Sequence, residues 1–376
     1  MKVEKIALNL SRVGKYGTGM WNYSKNIADM LHESGFLDSI ICSKDHVEYF
    51  SNRYKDPKVE IIITPEIVSN TMKVSKFRPL IWLSYSYLLG CKLVMSKKKK
   101  NVALLSTTHH SIPFFKNQFI TIHDLRPAFY PDSKLQEIYF SRYLPRKVKE
   151  LRGVFTVSET VKNEIEEYMG VKRTDIQVVY NSIDPSLRPD DIEKGEQEEV
   201  KNTFLMVGAS WKHKNAHSFL KNFLAHHKDI YNAVIVCGQT DYFNELKSLV
   251  AALGLESSVT FKHHISDQEL SSLYKTSFAL VYPSLSEGFG IPPIEAMSLS
   301  LPVIVSDIPV FNEVLGDAAV YVDPNVRESW EQAVDTLKIS RESVIDAGLQ
   351  RINLYSYDRC KDMLMRGLKN INENAS

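Results

Sequence analysis

Short apolar runs alternate with longer amphipathic stretches along almost the whole chain. In the first half, KIALNL, SIICS, VEIIIT, VALLST, QFITIHD, GVFTVS and IQVVYN have the length and β-branched content of strands. Between them lie helical stretches such as MWNYSKNIADMLHESG, with apolar residues near 3.6-residue spacing and a glycine stop. TFLMVGAS, NAVIVCG, SVTFKHH, FALVYPS, LPVIVSD and AAVYVDP continue the scheme in the second half. Strand–helix alternation of this kind predicts βαβ units and parallel sheets, an α/β fold class. The break comes at IDPSLRPDDIEKGEQEEV (Ile183 to Val200), whose two prolines and dense acids suit an exposed linker. Two separate α/β halves follow, with boundaries near 1–185 and 186–355. The tail, 356–376, reads as a helix packing back on the first half, fraying in its last residues.

Composition narrows the picture in three ways. A chain of 376 residues has room for two domains. Lys and Arg total 46 against 45 Asp and Glu, so there is no global field for capturing nucleic acid. The four cysteines, Cys42, Cys91, Cys237 and Cys360, have no metal-ligand spacing and read as free thiols in a reducing compartment. MKVEKIALNLSRVGKYGTG is too polar for a secretory signal. The most apolar stretch, Leu80 to Met95, contains Gly90 and Lys92 and is shorter than the ~20 residues a membrane span needs. It reads as a buried or interfacial helix, and the expected address is the cytoplasm.

Ligands of open α/β sheets sit beyond the carboxyl ends of the strands, which gives a filter for functional loops. The filter picks out Gly14 to Gly19, Ser106 to Ile112, His123 to Leu125, Ser210 to Asn215 and Ser284 to Ile291, with Ser158, Glu159, Gly238, His263, His264 and Asp307. In SLSEGFGIPPIEAMS, two glycines let backbone approach a ligand, and Pro292 and Pro293 stand where a helix start tolerates them. Amides there suit a diphosphate. Glu295 is expected in the first helical turn, with Glu287 across the turn from it. Carboxylates repel phosphate, so Glu287 and Glu295 fit bidentate acceptors for sugar hydroxyls. The same spacing also fits a helix-dipole partner and a solvated loop acid.

VGASWKHKN places Lys212, His213 and Lys214 just after a strand end at Gly208, where diphosphate charge would need compensation; a solvated basic loop fits too. Gly14, Gly17 and Gly19 form a glycine-rich first loop matching neither G-x-G-x-x-G nor a P-loop. His123–Asp124 ends an apolar strand, as does STTHHSIP with His109 and His110. His123 suits either a cleft-facing role or a satisfied structural one, and no pair has zinc geometry.

Taken in order, EGFGIPPIEAM, VGASWKHKN, TIHDLRP, VFTVSETVKNEI, VVYNSID and SDQELSSLYKTSFALVYPS resemble the retaining glycosyltransferases of family 4, of bacterial surface-polysaccharide type. EGFGIPPIEAM fits their glutamate–seven residues–glutamate signature. The resemblance implies a GT-B fold, two Rossmann-like domains with parallel sheets facing a central cleft. The first domain would bind acceptor and the second the nucleotide sugar. It implies that Glu287 contacts the donor hexose, Glu295 the ribose, and Lys214 the diphosphate, with His123 positioning the sugar. Amides of Gly288, Phe289, Gly290 and Ile291 would hold sugar and phosphate. Gly17, Thr18 and Gly19 would close over the diphosphate, and Gly208 would line the donor site. Many members have Arg-Lys-Asn where this chain has His213-Lys214-Asn215, and Lys212 is the candidate second cation. The family pattern further implies hexosyl transfer with retention, no protein nucleophile, and no metal or other cofactor.

The implied partners are a nucleotide-sugar donor, with GDP-mannose first, and a glycan or lipid-linked acceptor in lipopolysaccharide (O-antigen) synthesis. UDP-hexoses and dTDP-rhamnose are the competing donors. Two basic stretches, Lys97 to Lys100 and the run Arg142, Arg146, Lys147, Lys149 and Arg152, suit an anionic membrane surface at the inner face, or solvated helix faces. The competing functions are a nucleotide-sugar epimerase of similar fold, told apart by isomerised donor, and a non-catalytic glycan-binding protein.

Overall fold

The computed structural model describes residues 5–14, 18–55, 59–68, 78–96, 102–131, 133–183 and 202–374. Gly17, the lysine run 97–100 and residues 184–200 of the acidic segment lie outside the described residues. The chain divides into two units, Met1–Ser182 with Tyr357–Ser376, and Ile183–Ser356.

In the first unit the strands are β1 (Lys5–Asn9), β2 (Leu37–Ser43), β3 (Glu60–Thr64), β4 (Val102–Ser106), β5 (Gln118–Ile122), β6 (Gly153–Thr156) and β7 (Ile176–Val178). They form one parallel sheet in the order β3-β2-β1-β4-β5-β6-β7. Central β4 and β5 are buried at every position, whereas edge β3 is buried only at Thr64. That contrast is the burden of parallel strands covered on both faces, and it explains the unbroken apolar runs in the sequence.

The second unit repeats the scheme with β8 (Thr203–Val207), β9 (Asn232–Val236), β10 (Val259–Lys262), β11 (Ala279–Tyr282), β12 (Val303–Ser306) and β13 (Val320–Val322). Their order, β10-β9-β8-β11-β12-β13, is again wholly parallel. Both sheets therefore have the Rossmann-like order, as the alternating pattern predicts. The order reverses between β1 and β4 in one sheet and between β8 and β11 in the other, and each reversal opens a crevice at the strands' carboxyl ends. Beneath the second sheet, Phe204, Phe219, Phe223 and Trp330 pack ring to ring and are essentially inaccessible. Removing the Trp330 side chain would cost about 3–5 kcal/mol.

Helix ends follow local sequence. Thr18 accepts from the Trp21 amide at 3.3 Å to start the helix Gly19–Glu33, and Ser266 accepts from the Glu269 amide at 3.1 Å to start Asp267–Thr276. The final helix, Tyr357–Asn374, buries Cys360, Leu364, Leu368 and Ile371, a spacing that makes one apolar stripe. The stripe lies on β6 through two glycines. A methyl on Gly153 would meet Ile371 Cδ1 at 2.7 Å, and one on Gly367 would meet Phe155 Cε1 at 2.9 Å. Lys361 adds an ion pair to Glu33 at 2.8 Å.

Leu80 to Met95 falls in the helix Arg78–Met95. Trp82, Leu89 and Leu93 are buried, while Leu83, Tyr87, Leu88, Val94 and Met95 are exposed. Among the described residues no helix is long and apolar enough to cross a membrane.

Candidate active site

The crevice of the second sheet is walled by the segments that follow β8 and β11. After β8 the chain turns at Gly208, whose φ of +75° glycine adopts without strain. A single tight turn, Lys212–Lys214, then ends at Asn215 in the left-handed region. The turn separates its two lysines. Lys212 faces Glu245 at 3.0 Å with 74% of its side chain exposed, while the Lys214 side chain is only 16% exposed. The structure thus brings Lys214 to the crevice and pairs Lys212 at the surface.

Lys214 Nζ donates to Glu287 Oε1 at 2.5 Å and to Tyr282 Oη at 2.6 Å, and lies 4.9 Å from the centre of the Tyr282 ring. The Leu285 amide donates to the His213 carbonyl at 2.8 Å, which ties the two loops together. Ser306 on β12 donates to the Ser284 carbonyl and fixes the second loop from below. Burial alone would push Lys214 down and Glu287 up. Their mutual attraction outweighs it, so the Lys214 ammonium is held above its ordinary value and the Glu287 carboxyl below its own. Lys214 and Glu287 are therefore a charged, hydrogen-bonded pair.

Glu287 leads into Gly288, Phe289 and Gly290, which open the helix Ile291–Ser298. Gly290 has φ +99°, and a methyl there would meet Phe311 Cε1 at 2.8 Å. Glycine is required twice over, by backbone conformation and by space. The Phe289 side chain is core, packed edge-on to Tyr355 at 5.2 Å, so a ligand could meet only its backbone. Because the left-handed Gly290 caps the helix, Ile291 is already its first residue. Glu295 therefore falls in the second turn, not the first as the proline spacing suggests. There its Oε2 accepts from Tyr274 Oη at 3.1 Å.

In the first unit, Thr18 and Gly19 are exposed at the start of the helix Gly19–Glu33. His123 follows β5, with Nε2 2.8 Å from the Thr107 carbonyl and its ring edge-on to Tyr23 at 4.7 Å. The carbonyl can only accept, so Nε2 carries the proton and Nδ1 is the free acceptor nitrogen. His109 and His110 stack at 4.2 Å on the neighbouring strand end. Burial, reinforced by His123 and Arg12, lowers His109 to about 3, and burial with His109 and Arg12 takes His110 well below its ordinary value. His123 is also lowered by burial, partly offset by the Thr107 carbonyl. These are neutral imidazoles at working pH.

Asp307, which passed the strand-end filter, bonds Asn312 at 2.7 Å, and His263 bonds the Cys237 carbonyl at 2.6 Å. Among the described residues no group of three or more His, Cys, Asp or Glu could hold a metal ion. Sequence reasoning missed Tyr282 and Tyr274, which touch Lys214 and Glu295. The available signal was a hydroxyl in the otherwise apolar strand ALVY and another in the buried stripe of LSSLYKT.

Two doubly wound parallel sheets, with a lysine–glutamate pair at the switch point of the second, are the architecture that the GT-B resemblance implies. Residues 188–348 match the family described as glycosyl transferases group 1, and residues 18–187 match glycosyltransferase family 4. The chain is 48% identical over 363 residues to the O-antigen chain mannosyltransferase RfbU of Salmonella typhimurium, covering 96% of this chain and 98% of that one. The chain belongs to the family 4 glycosyltransferases. Its fold is similar to that of a glycosyltransferase from Rickettsia africae, with TM-score 0.72, 18% identity and 99% of each chain covered. It is equally similar to Anabaena HepE solved with UDP and glucose, with TM-score 0.72, 16% identity, 97% of this chain and 99% of that one. The fold is accordingly GT-B.

Proposed function

We propose that the protein moves mannose from GDP-mannose to a lipid-linked saccharide during O-antigen synthesis, with retention of anomeric configuration and without a metal ion. The observation that carries this reading is the 48% identity, over almost the full length of both chains, to an O-antigen chain mannosyltransferase. The site chemistry supports it. A hexose nucleotide has hydroxyls at both ends and charge in the middle, the layout offered by Glu287, the Gly288–Ile291 amides with Lys214, and Glu295.

On donor binding, Glu287 accepts from sugar hydroxyls and Lys214 turns its charge to the diphosphate. Both groups are already desolvated and fixed, so little reorganisation remains when charge develops on the leaving group. Glu295 takes the ribose hydroxyls. Thr18, Gly19 and His123 of the first unit are further candidate donor contacts by the family resemblance, His123 as a neutral imidazole. The departing diphosphate helps take the acceptor proton on the same face, which preserves configuration.

A lipid-linked acceptor places the reaction at a membrane face. The exposed Leu83, Tyr87 and Leu88, together with the exposed Arg142 and Arg146, offer apolar and cationic groups for an anionic headgroup layer.

The test is a donor screen with GDP-mannose, UDP-hexoses and dTDP-rhamnose, with and without EDTA, reading nucleotide release and the anomeric proton of the product. GDP-mannose turnover, an α product and indifference to EDTA are expected. Preferred turnover of another donor, a β product or loss of activity in EDTA would each overturn the corresponding part.

A further inference from the structure

Both glutamates of the second unit's site rest on tyrosines. Tyr274 and Tyr282 are 1% and 4% exposed, so their hydroxyls are out of reach of bulk water. A buried phenol is costly unless it is bonded, and phenylalanine would fill the same space without that cost. Each hydroxyl is aimed at a site group. Tyr274 Oη donates to Glu295 Oε2 at 3.1 Å. Tyr282 Oη accepts from Lys214 Nζ at 2.6 Å, which leaves its own proton for the neighbouring Glu287 carboxylate. Burial, then the adjacent carboxylate, keeps both phenols neutral.

The backbone around them is fixed. Tyr282 is the last residue of β11, and its ring lies 5.8 Å from Phe311, the residue that packs on Gly290. Tyr274 lies in the helix Asp267–Thr276. Two separate elements thus each deliver one hydroxyl to one carboxylate.

We propose that Tyr282 and Tyr274 are positioning residues with divided labour: Tyr282 presets the Lys214–Glu287 pair for the reacting end of the donor, and Tyr274 presets Glu295 for its nucleotide end. This rests on the donor-binding reading above. A contact to the nucleotide end is made equally in the ground and transition states, so its loss raises donor KM. A contact at the reacting end strengthens as charge develops, so its loss lowers kcat.

The test is steady-state kinetics of Tyr274→Phe and Tyr282→Phe beside Glu295→Gln and Glu287→Gln, using GDP-mannose, with thermal melting of each variant. Losing one hydrogen bond to a charged group is expected to change the affected constant by about tenfold or more. Tyr274→Phe should raise donor KM by that factor with kcat within about twofold. Tyr282→Phe should lower kcat by that factor with KM nearly unchanged. Wild-type kinetics in both tyrosine variants, or parallel losses in both constants that follow the melting temperature, would overturn the division of labour. If the glutamate variants also behave as wild type, the donor-binding reading itself fails; if they alone lose function, only the tyrosine inference fails.

Discussion

The carboxyl ends of the two sheets hold their ionisable groups in opposite electrical states. In the second unit, Lys214 and Glu287 are charged because each sustains the other against burial. In the first, His109, His110 and His123 are neutral because burial, with Arg12 near His109 and His110, disfavours a further positive charge. Fixed charge suits the stabilisation of a departing diphosphate. Neutral donors and acceptors suit the orientation of sugars whose own charge does not change. The same parallel scaffold therefore carries two kinds of site, and the side chains after the strands decide which.

The sharpest way to break this comparison is to remove one charge of the pair. Lys214→Met leaves the Glu287 carboxylate buried without its main partner. Activity should fall by about 100- to 1,000-fold, the scale of losing one fixed transition-state donor. Stability should fall by about 3–5 kcal/mol, because an unpaired buried charge is costlier than the pair was favourable. Lys214→Met with Glu287→Leu should recover much of that stability while staying inactive. Urea unfolding alongside turnover reads both effects, and a double variant as unstable as the single one would refute the account.

Acid should separate the units next. An unfolded histidine binds its proton below about pH 6.5. His109, His110 and His123 resist it in the fold, as does His46, lowered by burial and only partly restored by Asp45 and the Gly14 backbone. Their contribution is fully present above pH 6.5 and is lost as pH falls through their depressed values, to about 3 for His109. Each fully engaged histidine steepens the loss by about 1.4 kcal/mol per pH unit. Glu164 opposes one of them. Burial, then Asp124 and Glu167, raises it to about 7, so it favours the fold as pH falls from 7 towards its ordinary carboxylate value. In the second unit His217 is lowered by burial, while Glu287 loses its contribution only below the ordinary carboxylate range. Between pH 7 and 5 the first unit should lose more urea resistance than the second, and His110→Asn should flatten that loss. Equal losses in both units would erase the distinction.

Much of this was legible in the chain. Among the described residues, twelve of the thirteen strands fall inside the apolar runs, and β2 begins two residues ahead of SIICS, since strands covered on both faces are largely apolar throughout. Glu287, Lys214 and Gly290 were visible because strand-end loops in this topology are where backbone and charge must meet a ligand. The tyrosines were not, because an apolar run looks the same whether its hydroxyl is bonded or absent. The opposite directions of Lys212 and Lys214 were equally hidden. They depend on one tight turn and on Glu245, a residue distant in sequence. Glu295 was misplaced by a turn because the two prolines mark a helix start only to within a few residues.

A backbone change at Gly290 should have a smaller effect than either charge experiment. Gly290→Ala meets the positive φ penalty and the Phe311 ring at once, and should cost about 1–3 kcal/mol. Adding Phe311→Leu relieves the ring contact and leaves the backbone strain, so recovery should be partial. Complete recovery would show that space alone, and not conformation, requires glycine there.

The smallest effect is expected at Lys212, and it tests the comparison from the other side. If a cation serves this site only when buried and paired within the crevice, Lys212 should contribute little, because it faces Glu245 with most of its side chain in water. Exposed pairs of this kind contribute about 0.2–1 kcal/mol. Lys212→Ala should leave donor KM within about twofold and the urea midpoint nearly unchanged. A tenfold rise in donor KM, growing at low ionic strength, would mean that Lys212 leaves Glu245 for the diphosphate when donor binds. It would then act as the second cation beside Lys214, and burial would no longer mark which charges serve this site.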